Sequence, residues 1–463
     1  LASFSRTSIS SDAARNQWKA FEMPLVPVLD ADQVRAARAW GDTGDLAETP
    51  DAAFHYSDLA ASFRETILNM RDVTDDWGWT VHGESWSMMN THTTGSPRNR
   101  LTYFDRWIQT GQREFFDTSE EFALHSMDLR PYHAEGFRAA DYPGAYLWEG
   151  VPYNLPNTLK TQFNDLGRAA VLSASHPYAA YRQDIPLTWS GLPATNDNIN
   201  GFDYQHHMAD DLYEYYLLTG DPLALSALEH MGQALLTYHS VKGPIGGTSP
   251  TDDDLAAARG FGWTLRSMVR IYNVTGETAV WDGMRQLVEN LDSNRGPYAI
   301  TGDSRDGWFV DHRPKSNILG GQSWYESPWM MGPALMGLAS FRTIGGDPAL
   351  IDPIMQAGAD YLVDHAWKGP QLSFAKALDV TDPSVWQADP DSNGLPRWIP
   401  SALAAAYRVN PRAEYLSVGM DVLAAAQTLP ANHFTITHPS WHWWSTFLPV
   451  AVEAGLDPYP DAP

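Results

Sequence analysis

Two adjacent histidines, His206 and His207, stand in "GFDYQHHMADDLYEYYLLTGDPLAL" (201–225), beside Asp203, Tyr204, Asp210 and Asp211. Imidazole titrates near neutrality and suits proton transfer. Neighbouring residues on a helix point about 100° apart, so one atom does not engage both rings. His206 with Asp210, or His207 with Asp211, makes an i, i+4 pair on one helix face. Three uses stay open at this point. The pairs can be structural, they can orient a base or a substrate-binding imidazole, or they can belong to a metal site. The metal site needs two further ligands that spacing does not identify.

Other segments carry the same mixture of imidazole, guanidinium and indole. "NTHTTGSPRNR" offers Asn90, His92, Arg98 and Arg100, and "RGFGWTLRS" offers Arg259, Trp263 and Arg266. "SWYESPWMMG" supplies Trp324, Tyr325, Glu326 and Trp329; "GLPRWIP" supplies Arg397 and Trp398; "THPSWHWWSTF" supplies His438 and Trp441. A guanidinium forks onto a carboxylate such as that of a uronic acid. Indoles stack on flat sugar rings. The plainer uses are salt bridges to the many acidic residues and aromatic packing between helices.

Cleavage next to a uronate by β-elimination needs three roles: a group that neutralises the carboxylate, a base for the C5 proton, and an acid for the leaving oxygen. Asn90 or Arg259 fits the first, His206 or His207 the second, and Tyr204 or Tyr325 the third. Hydrolysis by two carboxyl groups is the rival. Glu326 is its acid candidate, because surrounding aromatics raise a carboxyl pKa, with Asp203 or Asp210 as partner.

The elements that must position these groups are visible as a repeat. "YYLLTGDPLAL" (215–225) has copies in "IYNVTGETAVW" (271–281), "SFRTIGGDPAL" (340–350) and "RWIQTGQREFF" (106–116), and a fainter one in "AYRVNPRAEYL" (406–416). The turn positions are Gly111, Gly220, Gly276, Gly346 and Asn410, spaced 56 to 70 residues apart after a first gap of 109. That first gap leaves room for a hidden copy between residues 112 and 219. In each copy an apolar helix ends at a residue that tolerates the left-handed cap. Asp, Glu or Gln follows the glycines, Asp serving as an N-cap for the next helix, and Pro222 and Pro348 sit at a favoured first helical position. Helical hairpins at this period predict an array or closed ring. The expected fold is mainly α, an (α/α) toroid of five to six hairpins over residues 90–463. A small β-containing segment, residues 1–89, packs on the ring. "MPLVPVLD" and "WGWTVHGESWSMM" read as its extended parts. The polar and aromatic residues named above lie about fourteen residues before each turn, so one rim at the N-terminal ends of the inner helices gathers them.

Composition narrows the partners. The net charge is -25 and the pI about 4.8, which repels phosphate backbones and argues against nucleic acid. No apolar run approaches the ~20 residues that span a bilayer. There is no cysteine, which excludes disulfides, thiolate metal sites and a cysteine nucleophile. Lys occurs only six times, and this acidic, Lys-poor, Cys-free make-up suits an exported bacterial protein, secreted or periplasmic. "DPDSNG" begins like a calcium loop at Asp389, Asp391 and Asn393, but Pro400 stands where the twelfth-position Glu is needed. No cofactor is required by the chemistry above, and calcium is an option only at that loop.

The order "NTHTTGSPRNRLTYFDRWIQTGQREFFDTSEEFALHSMD", "HHMADDLYEYYLLTGD", "RGFGWTLRSMVRIYNVTGE" resembles the toroid part of bacterial polysaccharide lyases, near the exo-rhamnogalacturonan-lyase-like group, over roughly residues 75–350. That resemblance implies a uronate-cleaving enzyme acting on an acidic polysaccharide or oligosaccharide. A glycoside hydrolase of the same ring fold and a non-catalytic glycan-binding protein are the alternatives.

Overall fold

The computed structural model of the protein describes residues 104, 107–108, 111–129, 146–148, 151–153, 209–242, 258–294, 325–370, most of 373–388, 398–427 and 441–457. Among these residues the structure is mostly helical. The helices are α1 (Arg113–Leu129), α2 (Asp210–Thr219), α3 (Pro222–Lys242), α4 (Ala258–Thr275), α5 (Thr278–Asn294), α6 (Pro328–Thr343), α7 (Pro348–Tyr361), α8 (Ile399–Val409), α9 (Ala413–Gln427) and α10 (Trp441–Glu453). A π-helical turn, Leu362–Ala366, extends α7.

The repeated Thr-Gly-Asp corner has a definite construction. Gly220 and Gly276 are left-handed, with φ of 68° and 65°, and each N–H donates to the carbonyl four residues back. The threonine before each glycine works in both directions. Thr219 Oγ1 donates to the Tyr215 carbonyl at 2.7 Å and accepts from the Asp221 N–H at 3.1 Å. Thr275 repeats this with Ile271 and Glu277. Asp221 then caps α3 by accepting from the Leu223 N–H at 2.8 Å. Orphan groups at both helix ends are thereby satisfied inside two or three residues. Gly111 is left-handed as well.

Two corners differ from the sequence expectation. Between α6 and α7 the left-handed residue is Gly345, at φ 108°, and not Gly346. Gly346 is required for space: a Cβ there would sit 2.9 Å from the Phe341 carbonyl oxygen and 2.7 Å from the Ile351 side chain. Asn410 is extended, at φ −136°, so the fifth corner turns without a left-handed cap. The hidden copy between 112 and 219 falls outside the described residues beyond α1.

Burial separates two layers. α4 is buried almost continuously from Ala258 to Ile271, α6 from Met331 to Leu338, and α8 from Ile399 to Ala406. Their partners α5, α7 and α9 each bury one face and expose the other. The first helix of these hairpins is therefore inside and the second outside. Consecutive inner helices are neighbours, in the row α2, α4, α6, α8, α10. Backbone approaches backbone along it. A Cβ on Gly262 of α4 would clash with the Pro333 carbonyl group of α6, and one on Gly337 would lie 2.6 Å from the Gly262 oxygen.

Strands are few. β1 (Tyr146–Trp148) pairs antiparallel with β2 (Val151–Tyr153). β3 (Tyr325–Glu326), β4 (Ala377–Asp379) and β5 (Trp386–Gln387) form a second antiparallel sheet, with Glu326 opposite Leu378 and Leu378 opposite Trp386. None of these was expected from the sequence, because two or three residues carry no readable alternation. The extended stretches expected between Phe21 and Trp86 lie outside the described residues, as does the 1–89 segment as a whole.

Candidate functional site

Three inner helices bring their N-terminal ends together. Arg259 is the second residue of α4 and Trp263 follows one turn later, on the same face. Trp329 is the second residue of α6, behind Pro328, which is pre-set for helix entry. Trp398 is the N-cap of α8. Gly332 lets α6 approach α8 here, since a Cβ would stand 2.8 Å from Trp398 Cβ.

These four side chains form one continuous stack. The Arg259 guanidinium carbon lies 4.9 Å from the Trp329 ring centroid. Trp329 meets Trp398 at 5.7 Å and 33°, and Trp398 meets Trp263 edge-to-face at 5.6 Å and 88°. Trp263 and Trp398 are buried, at 3% and 5% exposure, while Arg259 and Trp329 are half-buried. The stack thus runs from the core toward the surface and ends in a cation. A guanidinium lying over an indole engages its face, whereas recognition of a carboxylate uses its edge, so the two are compatible. Four of the residues expected at a shared rim are together here.

The small sheet lies at the same end of α6. Tyr325 and Glu326 form β3, and a single residue, Ser327, separates them from α6. β4 sets buried Asp379 opposite Tyr325. Lys368, just past the π-helical turn, lies 5.2 Å from the Trp386 ring centroid, and burial pushes its pKa below the usual value. Lys368, Trp386 and Asp379 had no sequence signal: they fall between repeats, and only the pairing of β3, β4 and β5 joins them to this end of the molecule.

Arg266 and Asp210 are placed elsewhere than expected. Arg266 is 3% exposed and donates from Nε to Asp210 Oδ1 at 2.9 Å. Arg270 donates to the same oxygen at 3.2 Å. Asp210 is 1% exposed. Burial works against the Arg270 charge, but Asp210, Tyr213 and Glu214 outweigh it and hold its pKa above the usual value. Arg266 is thus a bridge between α2 and α4 and not a rim group. Asp210 is a carboxylate whose Oδ1 is held between two cations, which does not suit the partner of a hydrolytic acid; His206, its expected i, i+4 partner, lies outside the described residues.

Asn90, His92, Arg98, Arg100, Asp203, Tyr204, His206, His207, Trp324, Arg397, His438 and the calcium-loop residues Asp389, Asp391 and Asn393 lie outside the described residues. Trp441 is the first residue of α10. Among the described residues no group of three or more His, Asp or Glu side chains is arranged to hold a metal ion. No described helix is long and apolar enough to cross a membrane.

No protein-family model matches the sequence, and no curated protein matches it significantly. Among solved structures, the chain is similar to a polysaccharide lyase, with 11% sequence identity and a TM-score of 0.49 over 87% of this chain and 99% of that one.

Proposed function

We propose that this protein is a polysaccharide lyase that cleaves a uronate-containing acidic glycan by β-elimination on an (α/α) toroid. The observation that supports this reading most is the stack of Trp263, Trp398 and Trp329 ending in Arg259. The buried Trp263 and Trp398 brace the half-buried Trp329 and Arg259 at its outer end, where a guanidinium edge offers paired donors to a carboxylate. In this reading Arg259 or Asn90 neutralises the uronate. That lowers the cost of removing its C5 proton. His206 or His207 takes the proton, and Tyr204 or Tyr325 gives one to the leaving oxygen. The electron pair left at C5 forms the C4–C5 double bond as the glycosidic bond breaks. An acidic polysaccharide substrate agrees with export to the periplasm or the medium, and with a bacterial source.

The test is incubation with a panel of uronate polymers, read by ultraviolet absorbance and by reducing ends. Elimination produces both signals, because the new uronate is conjugated. Reducing ends without absorbance would assign hydrolysis, with Glu326 of β3 and Asp203 as the carboxyl pair. Retention of glycan with neither signal would leave a binding protein.

A further inference from the structure

We infer that Asp210, Arg266, Arg270 and Ser267 form a positioning cluster that sets the start of α2 against α4, and so holds in register the two groups of residues the proposed reaction needs. The inference rests on the lyase reading for which residues those are.

The contacts at this junction are directional and buried. Asp210 stands in the first turn of α2, where a carboxylate ordinarily serves the N–H groups of its own helix. The α2 N-cap, Ala209, makes no side-chain cap, and Asp210 Oδ1 instead accepts from Arg266 and Arg270 of α4. The Ala209 N–H donates across to Ser267 Oγ at 3.3 Å. Ser267 is 2% exposed and Arg270 7%. One turn on, Arg270 lies 4.7 Å from the Tyr213 ring centroid. Well-packed apolar side chains would hold two helices at least as firmly as buried ions do. What the ions add is geometry: a bonded fork fixes both the rotation and the axial shift of one helix on the other, which apolar contacts leave soft.

That geometry has consequences on both sides. In the sequence His206 and His207 precede Ala209 by three and two residues. On α4, Arg259, Trp263 and Arg266 follow one another at spacings of four and three, so all three share one helix face. The cluster therefore ties the helix that follows the imidazoles in the chain to the helix that carries Arg259. None of its four members need touch substrate.

Two variants test this in the full chain. Asp210→Asn keeps the acceptor oxygen and removes the charge; Ser267→Ala removes one buried hydroxyl and is the milder change. Asn273→Ala, on α4 beside Tyr213 but two turns further from the junction, is the control. The imidazole proton signals of His206 and His207, assigned from their loss in His206→Asn and His207→Asn, are recorded for each folded variant. Both Asp210→Asn and Ser267→Ala are expected to move at least one of these signals, and Asn273→Ala neither. Where uronate polymer is cleaved, kcat should fall about fivefold or more in Ser267→Ala with KM nearly unchanged, and Ser267→Thr should recover it. Imidazole signals that coincide with wild type in a folded Ser267→Ala would overturn the inference. Wild-type protein that cleaves no uronate polymer would instead overturn the lyase reading, and the imidazole measurement would still decide the role of the cluster.

Discussion

Arg259 and Arg266 look alike in "RGFGWTLRS", seven residues apart on one helix face, and the fold gives them opposite work. Arg259 lies over an indole at the half-buried end of a stack, while Arg266 is sealed against a carboxylate. No local pattern separates the two, because the difference is the neighbour: Trp329 from one segment, Asp210 from another. The consequences are measurable. Arg259→Lys keeps the charge but loses the planar fork and the stacking. It is expected to weaken binding of an oligouronate by about tenfold, some ~1.4 kcal/mol, and to leave binding of a neutral oligosaccharide of equal length unchanged, both read by calorimetry. Asp210→Ala is expected to act on stability. It leaves two buried guanidiniums without their shared anion, and urea unfolding should show a loss of about 3 kcal/mol.

At the scale of elements, the hairpins were the most legible part of the chain. The Thr-Gly-Asp corner is local chemistry: a left-handed glycine, a threonine bonding both ways, and an aspartate cap, all within a few residues. Such a unit reads the same in sequence and in structure. The Gly-Gly corner was read one residue out, because both glycines are needed there for different reasons, one for conformation and one for space. Gly276→Ala is expected to cost about 1 kcal/mol, since the left-handed turn is open to a methyl group and only the backbone is strained. Gly262→Ala should cost well above the ~1–3 kcal/mol typical of overpacking, because its Cβ would meet α6 backbone and not a side chain that can move. Equilibrium denaturation of the two variants side by side distinguishes a conformational from a packing glycine. The strands β3, β4 and β5 were invisible for the opposite reason. β3 finds its partner β4 more than fifty residues further on, and strands of two or three residues hold no period.

At the scale of the molecule, charge ties two of the outer helices, α7 and α9, together. Arg412, just before α9, donates to Asp364 of the π-helical turn at 2.9 Å and also reaches Asp360 of α7, to which Tyr415 donates at 2.6 Å. The hydrogen bond from Arg412 holds the Asp364 carboxyl below its ordinary range, against a smaller opposing effect of burial. A carboxyl whose pKa is depressed on folding contributes stability that is complete above its unfolded value, near ~3.9, and is lost as pH falls through the lower folded value. Unfolding free energy should therefore drop on acidification below about pH 4, and Asp364→Asn should flatten that part of the profile. Asp364 is exposed enough for the effect to shrink in high salt.

The sequence by itself determined the helical hairpins, three of their five expected corners, and the acidic, cysteine-free composition, because each depends on residues close in the chain or on composition alone. Tertiary structure decided which candidate side chains meet. It joined Arg259, Trp263, Trp329 and Trp398 through the close approach of α4, α6 and α8, and it drew Arg266 and Asp210 into the α2–α4 interface. The physical reason is that the charge or ring of a side chain is a local property, but the partner that fixes its role arrives from another helix. For α4 against α6 and α6 against α8, that arrival is set by glycine-permitted backbone contact, which leaves no periodic trace in the sequence.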